Sequence, residues 1–153
     1  LYGNNTKLLE ELGWEGLSVD IDENIVDKWK DRKTNPYQMD ATKIDWNKMP
    51  IWDLHNITDY LQIDVDPPHI SYEVLLKIPF WKHKFRVITF EHDHYADEHS
   101  NIREKSREYL KSFGYELIVP DVAVDEYSSY EDWWVHPDLI NASVHSRDAA
   151  RCK

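Results

Sequence analysis

The sequence has little of what disulfide-bonded or membrane proteins require. Only one of its 153 residues is a cysteine, Cys152, which excludes an internal disulfide and a zinc site built from several cysteines. No apolar run approaches the roughly 20 residues of a membrane span, and the first residues show no signal-peptide pattern. We therefore expect a soluble protein of a reducing compartment, and we predict a cytoplasmic location.

Basic residues are also scarce. The chain has 18 Lys and Arg against 29 Asp and Glu, which gives a formal net charge of −11 and a pI near 5.1. A protein that binds a phosphate backbone needs a basic surface, so we expect no nucleic-acid partner. The chain is 41% hydrophobic and has seven Trp and nine Tyr, which is enough apolar surface to form an ordered core.

Apolar runs alternate with amphipathic stretches, a pattern typical of layered folds of strands and helices. This order favours an α/β, three-layer Rossmann-like fold, with a mostly parallel sheet, helices on both faces and an antiparallel final strand. We expect residues 1–140 to form one domain, and 141–153 to be a flexible tail. Predicted strands lie at 16–22, 36–41, 58–68, 85–91, 115–119 and 131–136, predicted helices at 7–12, 23–33, 69–80 and 100–113, and a loop with one helical turn at 42–58.

Acidic side chains follow successive predicted strands at their carboxyl ends. In open sheets this edge binds ligands, and an ionised carboxylate accepts hydrogen bonds from paired hydroxyls such as those of a ribose. The alternative is that these residues are ordinary solvated strand ends, since acids are common where helices begin. The residues are Asp20 and Asp22, then Asp40, then Asp64 and Asp66, and then the run from Glu91 to His94.

Several of these segments resemble class I S-adenosylmethionine-dependent methyltransferases, and in particular their FkbM-like branch. Residues 16–22 and the Asp40-Ala41 step resemble the cofactor-binding strands, and residues 59–66 resemble the strand-four motif. Residues 90–92, 103–117 and 130–135 continue the resemblance, which spans about residues 3–137. The order of the motifs is more specific than any one of them.

The resemblance implies roles for four residues around the adenosine part of S-adenosylmethionine. Asp20 would bind the ribose hydroxyls and Ile21 would pack on the adenine. Asp40 would accept a hydrogen bond from the adenine amino group, and the backbone amide of Ala41 would face a ring nitrogen.

The resemblance also implies a role for Asp64 beneath the methionine end of the cofactor, near the methyl group to be transferred. The glycine-rich first strand of the family would precede residue 1, so that Gly3 and Asn5 would be the end of its loop. Pro67 and Pro68 replace the glycine that usually follows the acid of strand four.

The segment from Glu91 to His99 is rich in histidine. A histidine with a pKa near neutrality can remove the proton of an acceptor hydroxyl during methyl transfer, and His92 and His94 directly follow a predicted strand. Two alternatives stay open. The segment is either an ordinary solvated loop or, because imidazole and carboxylate groups bind divalent cations, a metal site.

The leading hypothesis is transfer of a methyl group from S-adenosylmethionine to an oxygen of a small-molecule or glycan acceptor. Two alternatives belong to other classes: a non-catalytic Rossmann-like binding module, and a metal-dependent hydrolase using Asp64, Asp66, His92 and His94. The Trp133-Trp134 pair is expected to place one ring in the core and one outside, because successive strand residues point to opposite faces.

Overall fold

The computed structural model describes residues 6–29, 32–33, 36–49, 56–96 and 100–140. The chain divides into two compact units, residues 1–44 and 45–153. Within the part of the chain that is described, no helix is both long and apolar enough to span a bilayer. The predicted tail at 141–153 lies outside the described residues.

The first unit contains a β-α-β arrangement preceded by a short helix. Its two strands pair in parallel, with Asp20 opposite Gln38, and the Met39 amide donates to the Asp20 carbonyl oxygen at 2.9 Å. The carboxyl ends of both strands therefore lie at one edge of the pair. The elements are α1 (Lys7–Glu11), β1 (Ser18–Asp20), α2 (Glu23–Lys28) and β2 (Pro36–Gln38), followed by a 3-10 turn at Ala41–Lys43.

A buried ion pair holds the start of the first unit. Arg32 Nη2 lies 2.9 Å from Glu10 Oε1, and each side chain is less than a tenth exposed. Thr6 occupies the N-cap position of α1 but its side chain makes no capping bond. Its hydroxyl instead accepts a hydrogen bond from Arg32 Nη2 at 2.7 Å. The arginine therefore ties the first residues of α1 to the segment that follows α2.

The second unit contains a four-stranded sheet in the order β3-β4-β6-β5. Strand β3 pairs in parallel with β4, whereas β6 lies between β4 and β5 and runs antiparallel to both. A 3-10 turn at Trp46–Lys48 precedes the sheet. The elements are β3 (Ile57–Ile63), α3 (Pro68–Lys77), β4 (Lys84–Glu91), α4 (Ile102–Ser112), β5 (Glu116–Ala123) and β6 (Ser129–Val135).

This topology shows that the predicted Rossmann-like fold is wrong. The described strands form two separate sheets, and two of the three pairings in the larger sheet are antiparallel. The physical reason lies in the connections. A short link between β5 and β6 suits an antiparallel pair, whereas a parallel pair needs a longer crossover such as the one through α3. The predicted elements exist, but their order along the chain does not determine how the strands pair.

The larger sheet buries one face more completely than the other. Ile88, Phe90 and Trp134 are fully buried and, by the pairing register, share one face. Thr89 and Trp133 pair on the opposite face, and Trp133 is 44% exposed. The expectation of one core ring and one outer ring in the tryptophan pair is therefore confirmed.

An aromatic cluster connects α4 to the start of β4. The Phe80 ring lies 5.7 Å from Phe85, 6.1 Å from Tyr109 and 5.6 Å from Tyr115, measured between centroids. The Tyr115 hydroxyl accepts a hydrogen bond from the Phe85 amide at 2.9 Å. Burial raises the pKa of Tyr115 to about 12. The phenol therefore stays protonated while it satisfies a buried backbone amide.

His136, directly after β6, is a buried histidine whose Nδ1 has no hydrogen-bond partner among the described residues. Burial, with a smaller effect of Lys84, lowers the pKa of His136. The folded state therefore binds the imidazole proton more weakly than the unfolded state, whose pKa is about 6.5. The stability that His136 contributes is fully present above that pH and is lost as the pH falls through the folded-state pKa.

We predict that the His136→Asn substitution reduces the free energy of unfolding more at pH 8 than at pH 5.5. Urea denaturation of both proteins at the two pH values measures this difference. An equal loss of stability at both pH values would contradict it.

Candidate functional site

Asp20 and Asp40 lie at the same carboxyl edge of the β1–β2 pair. Asp20 ends β1, and Asp40 follows β2 by two residues. Local turns orient both carboxylates. Asp20 Oδ1 accepts from the Asp22 amide at 2.8 Å, and Asp40 Oδ1 accepts from the Thr42 amide at 2.9 Å. The structure thus brings together the two acids that were predicted to bind the nucleoside.

The other predicted cofactor residues are distributed differently. Ile21 is 66% exposed beside Asp20, and Ala41 begins the 3-10 turn that Asp40 caps. Gly3 and Asn5 lie outside the described residues. Asp64 belongs to the second unit. The predicted cofactor set is therefore divided between the two units.

A cluster of acids forms at the carboxyl edge of β3 and β4. Asp64 directly follows β3, Glu91 ends β4, and Asp93 lies in the turn beyond it. Glu131 of β6 pairs directly opposite Glu91. We call Asp64, Glu91, Asp93 and Glu131 the carboxylate cluster. Parallel pairing of β3 and β4 places their acidic ends side by side, which is the feature that the sequence predicted for this edge.

The carboxylate cluster resists full ionisation. Burial and the neighbouring charges of Asp64 and Asp93 raise the pKa of Glu91 to about 9. Burial also raises the pKa of Asp93 and of Glu131, with Asp64 adding to both effects. Like charges in a partly buried place raise each other's pKa, whereas a bound cation lowers it. The cluster is therefore suited electrostatically to a positively charged group.

Polar side chains extend the carboxylate cluster across the outer face of the sheet. Tyr60 Oη and Thr89 Oγ1 lie 2.8 Å apart, which links β3 to β4. The indole nitrogen of Trp133 donates to Glu131 Oε1, which links the cluster to a half-exposed ring. An aromatic ring beside carboxylates can contact the apolar face of a ligand while the acids bind its polar groups.

His92 and His94 have different environments. The His92 side chain is fully buried. Its Nδ1 accepts from the His94 amide at 3.2 Å, and its Nε2 lies 3.5 Å from Asp132 Oδ1. His94 is partly exposed, and its ring centre lies 6.4 Å from that of His92. Of the two predicted bases, His94 is the one with exposed surface. Residues 97–99 of the histidine-rich segment lie outside the described residues.

A second group of acids is already paired with arginine. Arg107 of α4 donates from Nε and Nη2 to the two carboxylate oxygens of Asp132, each at 2.8 Å, and its Nη2 lies 2.9 Å from Asp121 Oδ1. Burial alone would raise the pKa of Asp132, but hydrogen bonds from Arg107 and His92 hold it well below its usual value. We call Arg107, Asp121, Asp132 and His92 the arginine network.

The arginine network has the donor types of a metal site, since ligand atoms of His92, Asp121 and Asp132 lie within 4.8 Å of one another. The guanidinium of Arg107 contacts both carboxylates, however, and so supplies the positive charge that a metal ion would supply. Sequence reasoning missed Arg107 and Asp132. The available signal was an acid within the aromatic strand around Trp133 and Trp134, where an ionised side chain needs a partner.

We predict that Glu91→Gln stabilises the protein at pH 8. Because the folded-state pKa of Glu91 is raised to about 9, its favourable contribution is present below the unfolded value of 4.5 and is lost as the pH rises towards 9. Because solvent screens this half-buried group, removing it should increase the free energy of unfolding at pH 8 by only about 1–3 kcal/mol, and by less at pH 5.

Denaturant unfolding of Glu91→Gln and of the control Glu108→Gln, which changes an exposed residue of α4, measures the effect. A loss of stability at pH 8 in the Glu91 variant, or an equal gain in the control, would contradict the prediction.

The chain was compared with known proteins at the levels of family, sequence and structure. No family model matches it, and neither a curated protein nor a solved structure matches it. The resemblance to FkbM-like methyltransferases therefore stays a prediction from the motifs, and function is inferred from the geometry of the described residues.

Proposed function

We propose that this protein is an S-adenosylmethionine-dependent methyltransferase that methylates a hydroxyl oxygen of a small-molecule or sugar acceptor. The observation that carries the proposal is the position of Asp20 and Asp40 at one edge of two adjacent parallel strands. Acids at this edge can bind the hydroxyl and amino groups of a nucleoside, all of which donate hydrogen bonds.

The residues at this edge fit the adenosine part of the cofactor. An ionised carboxylate offers about four acceptor positions, so the turn bond that Asp20 Oδ1 accepts leaves capacity for ribose hydroxyls. Ile21 exposes 66% of an apolar side chain next to Asp20, which suits contact with a flat base. Asp40 is oriented by the turn that it caps, so its carboxylate is positioned before a ligand binds.

Within the second unit, the carboxylate cluster suits a positively charged group. S-adenosylmethionine supplies a methyl group on a positively charged sulfur, together with an ammonium group. The raised pKa of Glu91 and of Asp93 supports a site that gains stability when a cation arrives. Asp64, at the end of β3 and beside Glu91, is the member that the sequence predicted for this role.

The acceptor side requires a group that removes a proton. Attack by a hydroxyl oxygen on a methyl carbon releases the hydroxyl proton, and a partly exposed histidine is suited to accept it. His94 fits this role better than His92, since the His92 ring is fully buried. Most of the rate enhancement would come from holding the acceptor oxygen in line with the methyl group.

The metal-dependent hydrolase hypothesis has less support. It requires His92 as a ligand, yet His92 Nδ1 already accepts from the His94 amide, and its Nε2 faces Asp132, whose charge Arg107 balances. The non-catalytic module differs from the methyltransferase in one measurable property, which is affinity for the cofactor or its product.

The first test is binding of S-adenosylhomocysteine, measured by isothermal titration calorimetry. We expect binding by the wild-type protein and an affinity about tenfold or more lower in Asp20→Asn and Asp40→Asn, because each loses a charged acceptor. Glu23→Gln, which changes an exposed acid in the first turn of α2, is the control and should bind like the wild type. Absence of binding by the wild type refutes the proposal.

The second test is methyl transfer from isotopically labelled S-adenosylmethionine to a panel of sugars and simple hydroxyl compounds. We predict that His94→Gln lowers kcat about 100-fold or more, because no base remains to accept the hydroxyl proton. Its affinity for S-adenosylhomocysteine should not change. Full activity of this variant would exclude His94 as the base.

A further inference from the structure

Backbone and side-chain contacts hold the turn that follows β4. The amides of His92 and Asp93 donate to the Tyr130 carbonyl oxygen, and the buried His92 ring faces Asp132. We propose that His92, whose buried ring faces Asp132, is a positioning residue that fixes the orientation of the turn and thereby aligns Glu91 and Asp93 in the carboxylate cluster. The purpose of this alignment rests on the proposed function, whereas the alignment itself is a property of the protein without any ligand.

The hydrogen bond that Nδ1 accepts determines which nitrogen of His92 carries the proton. Because Nδ1 accepts from the His94 amide at 3.2 Å, it must be unprotonated. A neutral imidazole then carries its proton on Nε2, which lies 3.5 Å from Asp132 Oδ1. The ring thus accepts a hydrogen bond from the backbone of the turn on one side and, on the other, faces a buried carboxylate at 3.5 Å without a hydrogen bond that meets the usual geometry.

Asp132 is itself fixed from several directions. It is fully buried, both of its oxygens bind Arg107, and its Oδ1 also accepts from the Asp121 amide at 2.9 Å. These contacts come from α4 and β5, so the carboxylate that holds His92 cannot move unless several elements move with it. A carboxylate held in this way orients the imidazole, as outer partners do around other functional histidines.

Successive residues of a strand point to opposite faces, and this relates the fixed position of Asp132 to that of the carboxylate cluster. Glu91 pairs with Glu131, and Asp132 pairs with Phe90, so Glu131 and Asp132 point to opposite faces of β6. The amides of His92 and Asp93 both donate to the Tyr130 carbonyl oxygen, at 2.7 and 3.0 Å. Asp93 then adopts a positive φ of 41°. Anchoring His92 on the side of Asp132 therefore sets where Glu91 and Asp93 lie.

The composition of the arginine network favours positioning over stability. A buried ion pair is often no more stabilising than apolar side chains of similar volume, because both charges lose their hydration. Asp132 shares a sheet face with Phe90, opposite it, and with Trp134, two residues along β6, and both are fully buried, so an apolar residue would suit this environment. A carboxylate at position 132 loses its hydration when it is buried, which costs free energy. What it provides in return is the orientation of His92.

The first measurement uses the wild-type protein, without ligand, at pH 7.5. Long-range proton–nitrogen correlation spectra distinguish the two imidazole tautomers by their nitrogen shifts. We expect an unprotonated Nδ1 and a protonated Nε2 for His92. A protonated Nδ1, in either the neutral or the charged ring, overturns the proposal.

The second measurement compares His92→Asn with His136→Asn, since both remove a buried imidazole but only the first is connected to the turn. Carbon-13 spectra of the side-chain carboxyls follow the titration of Glu91. We expect its pKa to fall by about one unit or more in His92→Asn, because the acids move apart, and to stay at the wild-type value in His136→Asn. An unchanged titration in folded His92→Asn overturns the proposal.

If His92→Asn does not fold, Arg107→Lys takes its place, because it keeps the charge but loses the paired hydrogen bonds. We again expect the pKa of Glu91 to fall by about one unit or more, and an unchanged pKa overturns the proposal. Neither measurement involves S-adenosylhomocysteine. A failure to bind that compound would therefore refute the proposed function and leave the positioning role of His92 standing.

Discussion

One partly buried cation joins three elements of the second unit. Arg107 of α4 binds Asp132 of β6 through two parallel hydrogen bonds and also contacts Asp121, at the irregular part of β5. One guanidinium thus joins a helix to two strands, and the carboxylate of Asp132 passes the constraint to His92. A planar, permanently charged group can do this, whereas a lysine ammonium would bind as a single point.

The carboxylates on the two sides of β6 have pKa values shifted in opposite directions. Asp132 is neutralised by arginine, and its pKa is held low. Glu131, its neighbour in sequence, lies with the carboxylate cluster, where the pKa of Glu131 and that of Glu91 are both raised. The first arrangement is satisfied within the protein. The second keeps acidic groups close together in a partly buried place, and this is why the pKa values there are raised.

The local elements and part of the site could be predicted from the sequence, because both follow from short-range patterns. The predicted helices and strands exist, with ends shifted by a few residues, and the acids at the ends of β1 and β3 lie at carboxyl edges. Strand pairing could not be predicted, since it depends on contacts between distant segments. Arg107 and Asp132 are 25 residues apart, and no periodic pattern in the sequence indicates that they are bonded. The burial of His92 also depends on a distant segment, since its ring faces Asp132 of β6, and it could not be predicted either.

The position of β6 has a consequence for the order of assembly during synthesis. This strand is the last of the sheet in sequence, yet it lies inside the sheet and is the neighbour through which β5 joins β4. Until residues 129–135 leave the ribosome, the edges of β4 and β5 that later pair with β6 have no partner strand and are exposed to other chains. Assembly of this sheet is therefore a late, non-local event, and a nascent chain halted before β6 would carry open edges that favour aggregation.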